Sequence, residues 1–185
     1  PAPADAGDAV PEWPKARGTK FLVYLRPGAH LPPLFEALSR AHASVIAHVP
    51  NPGPALAKAA AERGIQLSET PLKLSELLPR CDAVVCHGGN NTVTEALTAG
   101  LPVLVAPFST DQFAGAEDLR RAGLGDAIDP AAATADEIAD ILASLLGGEA
   151  ADRAAALGTE LRLWPGAEVA ADAVEATAAG AGVAA

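Results

Sequence analysis

From Lys20 onward, short apolar runs alternate with helical stretches, and this alternation leaves few folds open. The apolar runs are Phe21-Leu22-Val23-Tyr24-Leu25, Ser44 to Val49, Ile65-Gln66-Leu67, Ala83-Val84-Val85-Cys86 and Pro102 to Pro107. Between them, Leu34 to Ala43, Ala55 to Arg63, Asn91 to Ala99 and Asp111 to Arg121 read as helices, and Ser75 to Pro79 as a helical turn. Gly64, Gly100 and Gly123 stop the later three helices, and a weak sixth strand falls near Ala127-Ile128. Strands without polar alternation are buried on both faces, so the pattern predicts βαβ units and a parallel sheet. Each crossover should be right-handed.

The expected fold is therefore α/β: a Rossmann-like parallel sheet of about six strands with helices on both faces. A helical, Ala-rich C-terminal extension follows. Its first helix begins at Thr134 and carries Ile138, Ile141, Leu142, Leu145 and Leu146 at helical spacing. Leu161 to Trp164 and Ala167 to Ala178 come next, and Trp164-Pro165 marks a turn. Residues 1–19, rich in Pro, Ala, Asp and Gly, read as a linker or lead-in; residues 20–185 read as one domain with a frayed tail after Ala178.

Charge narrows the partners. The chain carries 13 basic and 23 acidic residues, a net charge of −10. With no basic cluster it is unsuited to nucleic acid or to an anionic membrane surface. Any phosphate it binds must be held by local geometry. Cys81 and Cys86 flank a strand, too far apart for a disulfide and too few for a zinc site. They read as buried thiols. No apolar run is long enough to span a bilayer, and the first residues do not read as a signal peptide, so the default location is cytoplasmic.

In an open parallel sheet, ligands sit at the carboxyl ends of the strands. Three loops fall there: Arg26 to His30, His87 to Thr92, and Pro107 to Gln112. The middle one is the strongest. Gly88 and Gly89 let the backbone approach a ligand, and Asn90 and Asn91 tolerate left-handed conformations. Thr92 can cap the following helix, whose first amides then form an anion site. His87 can add a donor. The pair could also be a plain tight turn, since neither G-x-G-x-x-G nor a P-loop is present. Glu95, three residues after Thr92, fits a capping box or an acceptor for paired hydroxyls.

At this point the residues resemble a family. Leu77 to Gly125 is similar to the donor-binding segment of family-1, GT-B-fold glycosyltransferases that use nucleotide sugars. The resemblance rests on Leu77-Leu78-Pro79, His87-Gly88-Gly89, Thr92 to Glu95, Gly100-Leu101-Pro102, Pro107, Asp111-Gln112 and Gly123-Leu124-Gly125, in matching spacing over about fifty residues. Pro11 to Pro14 and Tyr24-Leu25 resemble the entry to the second domain of bacterial members. The match covers only the second half of a typical enzyme, that is, one half of a GT-B fold.

The resemblance implies roles. His87, Gly88, Gly89, Asn90, Asn91 and Thr92 would bind a diphosphate, with Arg26 reaching it unless it is an ordinary surface residue. Glu95 would take the ribose hydroxyls, and Asp111 and Gln112 the transferred sugar, with Asp111 alternatively capping its helix. The aromatic that often stacks on the base is missing from Glu69 to Leu74, leaving Leu72 or Leu74 for base recognition and uracil versus thymine open. His30, His42 and His48 read as structural or solvated, and Gly28 as a turn residue. The implied chemistry is inverting transfer from a UDP- or TDP-sugar, without metal or cofactor. The general base would come from an N-terminal acceptor-binding domain or a separate subunit, so this chain alone would transfer poorly. The alternatives are a related nucleotide-sugar epimerase and a non-catalytic nucleotide-binding module. An exposed docking face would favour self-association.

Overall fold

A computed structural model describes residues 10–14, 18–163 and 166–178. Six strands form one sheet: β1 (Lys20–Tyr24), β2 (Ser44–His48), β3 (Gln66–Ser68), β4 (Ala83–Cys86), β5 (Val103–Val105) and β6 (Gly125–Ala127). Their order is β3-β2-β1-β4-β5-β6, and every neighbouring pair is parallel. The helices are α1 (Leu31–Arg40), α2 (Gly53–Glu62), α3 (Leu74–Leu77), α4 (Asn90–Thr98), α5 (Thr110–Ala122), α6 (Ala135–Leu146), α7 (Glu149–Leu163) and α8 (Gly166–Ala178). A 3-10 turn, Leu78–Arg80, extends α3. The expected parallel α/β sheet is what forms.

Two cores sandwich the sheet, and the side chains of each strand alternate between them. Phe21, Val23, Val45, Ala47, Val85 and Leu104 face Leu34, Phe35 and Leu38 of α1 and Ile138, Leu142 and Leu145 of α6. Leu22, Ile46, Val84, Val103 and Val105 face Leu77, Ala96, Ala116 and Leu119. Central strands β2, β4 and β5 are buried along their whole length, which explains their unbroken apolar sequences.

Several boundaries differ from expectation. Helix α1 begins at Leu31, not Leu34, because Pro32 and Pro33 are tolerated in a first helical turn. Strand β6 lies at 125–127, earlier than the Ala127-Ile128 run suggested. Gly125 decides this: a methyl there would sit 2.2 Å from the Val103 carbonyl oxygen, so only glycine lets β6 close onto β5. Helix α7 is far longer than Leu161 to Trp164. Its buried face is made of Ala154 and Gly158, which leave no large-apolar stripe to read. Helix α6 starts as expected, with Thr134 and Glu137 forming a reciprocal capping box.

Both cysteines are unpaired. Burial pushes the Cys81 thiol up to about 12 and the Cys86 thiol up to about 11, so both are inert thiols. Within the expected lead-in, Trp13 packs partly buried on the second core, with the Lys20 ammonium 5.7 Å from its ring centre. Residues 1–9 and 15–17 of the lead-in, the Trp164-Pro165 turn and the tail from 179 lie outside the described residues. Among the described residues, no helix is long and apolar enough to cross a membrane.

Candidate functional site

The strand order reverses between β1 and β4, so their carboxyl ends bound the crevice where such sheets take ligands. The three loops singled out in the sequence all rise from this edge.

The β4–α4 loop is shaped by two glycines. Gly88 has φ +87°, and a methyl on it would lie 2.8 Å from Val105 Cγ1. Gly89 is extended, at φ −67° and ψ 135°, and caps α4 without a side-chain bond. The first intrahelical bond runs from the Val93 N–H to the Gly89 carbonyl at 3.0 Å. The amides of Asn90, Asn91 and Thr92 therefore lie ahead of it with no helical acceptor. Asn90 and Asn91 are exposed beside them. Their N–H dipoles and the helix field converge on one spot outside the loop.

Two expectations change here. Thr92 is not the cap: it is the third helical residue and is 8% exposed. A Gly at the cap position needs no side chain to let the helix begin, so the start moves from Asn91 to Asn90. Without Thr92 at the cap there is no capping box, and Glu95 stands exposed with no hydrogen bond or ion pair among the described residues. Its carboxylate is available to an outside donor.

His87 is half-buried at the end of β4. Its Nδ1 lies 3.5 Å from the Tyr24 carbonyl oxygen, across the β1–β4 crevice. Its Nε2 lies over Gly89, 2.9 Å from where a methyl would project. The ring is thus held from one nitrogen and turns the other toward the loop. Across the crevice, Arg26 is exposed and its guanidinium makes no ion pair among the described residues.

The β5–α5 segment supplies the third wall. Ser109, not Asp111, caps α5, in an extended conformation at φ −134°. Asp111 sits in the first turn, and its carboxyl is held below the usual range by the Ser109 hydroxyl first and by the Asp111 and Gln112 amides after it. Gln112 Oε1 accepts the Phe108 N–H at 2.8 Å, which leaves its NH2 group to donate elsewhere. Leu72 is 2% exposed and committed to the second core, while Leu74 packs on it partly buried. The exposed chain next to this edge is Glu69-Thr70-Pro71.

A residue that sequence reasoning set aside also belongs to this edge. His30, at the mouth of α1, is 2% exposed, and neither ring nitrogen has a hydrogen-bond partner. Nothing in its flanking residues distinguishes it from a packed or solvated histidine. By contrast, a cavity of about 500 Å³ lies elsewhere among the described residues. It opens near Gly123, Gly125 and Gly147, at the amino end of β6, and its Arg120 and Arg153 are already paired with Asp126 and Glu149. No three His, Cys, Asp or Glu side chains gather among the described residues in a way that could hold a metal.

Residues 33–176 match the family model described as erythromycin biosynthesis protein CIII-like, C-terminal domain. Zeaxanthin glucosyltransferase of Pseudescherichia vulneris is 37% identical over 121 residues, covering 63% of this chain and 29% of that protein. Among solved structures, the glycotransferase of kitacinnamycin superposes with a TM-score of 0.72 at 25% identity, covering 93% of this chain and 46% of the other. Spinosyn rhamnosyltransferase SpnG complexed with thymidine diphosphate superposes with a TM-score of 0.63 at 26% identity, covering 86% of this chain and 46% of the other. The chain thus spans less than half the length of these relatives. Its fold is that of one half of a GT-B chain, as the sequence resemblance implied.

Proposed function

Because the chain belongs to the erythromycin biosynthesis protein CIII-like C-terminal domain family, we propose that it is the donor-binding half of a glycosyltransferase. It would hold a nucleoside diphosphate sugar by its diphosphate at the mouth of α4. The observation that carries this reading is the set of Asn90, Asn91 and Thr92 amides, left without helical acceptors beside the Gly88-Gly89 turn at the β1–β4 switch. His87 Nε2 and the Arg26 guanidinium complete the phosphate side. Glu95 accepts from the ribose hydroxyls. Asp111, kept ionised, accepts from the sugar while the Gln112 NH2 donates to it. The exposed backbone of Glu69 to Pro71 meets the base, with Leu72 and Leu74 shaping the floor from beneath. Thymidine diphosphate bound to the related rhamnosyltransferase supports TDP or UDP as the nucleotide.

The reaction is inverting transfer. The bond between the anomeric carbon and the diphosphate oxygen breaks, and an acceptor oxygen bonds to the opposite face of that carbon. The acceptor's proton passes to a base outside this chain, on an N-terminal acceptor domain or a separate subunit. The α4 amides, preorganised where negative charge grows on the leaving diphosphate, stabilise the transition state. That role needs no metal. Exposed Phe108, Phe113, Val169 and Val174 favour self-association of the chain when no partner covers them. Inert free thiols fit a cytoplasmic location.

Calorimetry with UDP and TDP tests the reading. Binding of at least one is expected, weakened about tenfold by His87→Ala through loss of one charge-assisted donor. If neither nucleotide binds, the donor assignment falls. Turnover is expected only when an acceptor-binding domain is added; turnover without an acceptor would favour epimerase chemistry instead.

A further inference from the structure

His30 touches both ends of the edge described above, and the donor reading gives it no task. Its ring is buried, and Gly28 of the exposed loop Arg26 to Ala29 lies against it. A methyl on Gly28 would stand 2.5 Å from His30 Cε1 and 2.6 Å from Nδ1, so only glycine lets the loop lie this close. On another side the Phe108 ring meets it edge-on, with centroids 5.1 Å apart and planes at 62°. Phe108 is 50% exposed and is tied through its N–H to Gln112. The imidazole therefore bridges the loop that carries Arg26 and the segment that carries Asp111 and Gln112.

Packing alone does not account for a histidine there. A buried polar group without a partner carries a desolvation cost that a Leu or Phe would avoid. Such an orphan in a folded chain calls for a reason. Burial lowers the His30 pKa, so the ring is neutral with one N–H to give; the nearby Arg26 backbone pulls the value part of the way back. Neither ring nitrogen, however, makes a hydrogen bond of good geometry to that backbone.

We propose that His30 is a positioning residue of the donor site: when donor binds, its ring N–H closes onto the Arg26 carbonyl while the ring stays against Phe108, clamping the phosphate-side loop to the sugar-side segment. This inference rests on the donor reading above. His30 does not touch the donor; it sets the span between the Arg26 guanidinium and the Asp111-Gln112 pair. Its effect should therefore appear for a ligand that reaches both ends and vanish for one that reaches only the phosphate side.

The test is calorimetry on the 185-residue chain with UDP, TDP, UDP-glucose and TDP-glucose, alongside thermal melts. His30→Phe keeps the ring contact and removes the N–H. It should melt at or above the parent temperature, bind free nucleotide within about twofold, and bind the matching nucleotide sugar about tenfold more weakly, a change of about 1.4 kcal/mol. His30→Gln, which restores an N–H, should recover most of that loss. Unchanged nucleotide-sugar affinity in His30→Phe would overturn the inference, as would an equal loss for nucleotide and nucleotide sugar. Should His30→Phe not fold, Phe108→Ala carries the test through the exposed partner ring. It should show the same selective loss, and no selective loss would again overturn the clamp. A parent chain that binds none of the four ligands sinks the donor reading and the clamp together. A parent chain that binds nucleotide but gains nothing from the sugar sinks the sugar contacts and the clamp. Binding that is intact and indifferent to both substitutions sinks the clamp alone.

Discussion

Helices α1 and α4 open onto the same crevice from adjacent strands, and their mouths differ. At α1 the Leu31 N–H is taken by the Gly28 carbonyl at 3.3 Å, and the next two residues, Pro32 and Pro33, have no N–H to offer. At α4 a glycine cap is followed by Asn90, Asn91 and Thr92, all with amides. A third mouth, that of α6, is closed by its own side chains, with Thr134 and Glu137 satisfying each other's backbones. Three helix starts in one fold thus handle the same unsatisfied donors by removing them, by capping them, and by leaving them open. Only the open one can neutralise a phosphate through its backbone. In a chain of net charge −10, that local positive end is what an anionic ligand can find.

The largest expected effect comes from deforming the open mouth. Gly88→Val places a β-branched side chain at φ +87°, against Val105 Cγ1. It should cost roughly 2–4 kcal/mol in chemical denaturation and abolish nucleotide binding. A loss under about 1 kcal/mol would mean that the loop relaxes freely.

Next comes turning α4 into a second α1. In Asn90→Pro the ring falls at the first helical position, after a residue that is already extended, so the helix should tolerate it. One donor disappears. Nucleotide affinity by calorimetry should fall about tenfold with little change in melting temperature. Full affinity would show that the α4 amides are not the phosphate ligands.

The self-capped mouth should respond in stability and not in binding. Thr134→Ala should lower the melting temperature by a few degrees and leave nucleotide affinity unchanged. The pH dependence has a definite sign. Thr134 holds the Glu137 carboxyl below its usual value, through its backbone amide first and its hydroxyl second. A depressed folded-state pKa contributes stability that is present above the unfolded value of about 4.3 and is lost as pH falls through the folded one. The gap between parent and Thr134→Ala melting curves should therefore narrow in acid, below about pH 4. A gap that widened there would contradict the capping box.

The smallest effect is the reverse exchange. Pro32→Ala with Pro33→Ala returns two amides to α1, yet nucleotide affinity should stay within about twofold, because Gly28 packs on His30 and its carbonyl takes the Leu31 N–H at that end. A tenfold gain would make the two mouths interchangeable.

How much of this was legible in the sequence depended on what kind of contact made each element. Strand β4 falls on the predicted residues because a run buried on both faces is apolar throughout. The positions of His87 just after β4, and of Asp111 and Gln112 where the chain leaves β5 for the next helix, follow from the same rhythm. Helix α7 is silent in the sequence over most of its length because it docks through Ala154 and Gly158, and a periodicity of absent side chains leaves no signal. The start of α4 lies one residue before the expected Asn91 because Thr92 has the chemistry of a cap, whereas the cap that forms, Gly89, acts by conformation alone. The burial of His30 is not written in its neighbours, because it depends on which loops meet around the ring. That Phe108 from β5–α5 comes to rest on a residue after β1 is a fact of the tertiary fold.

The docking of α7 bears on the ligand end as well. Gly158 lies against Gly100 at the far end of α4, where an added methyl would stand 2.6 Å from the Gly100 Cα and 2.8 Å from the Leu97 carbonyl oxygen. Helix α4 is nine residues long, a stiff rod of about 13 Å. Its heel is wedged against backbone, and its toe carries the open amides of Asn90, Asn91 and Thr92. A single carbon added at position 158 has to push α7 and the end of α4 apart. Screens that score substitutions by distance from the α4 mouth would overlook position 158, although it decides how closely α7 seats on that helix.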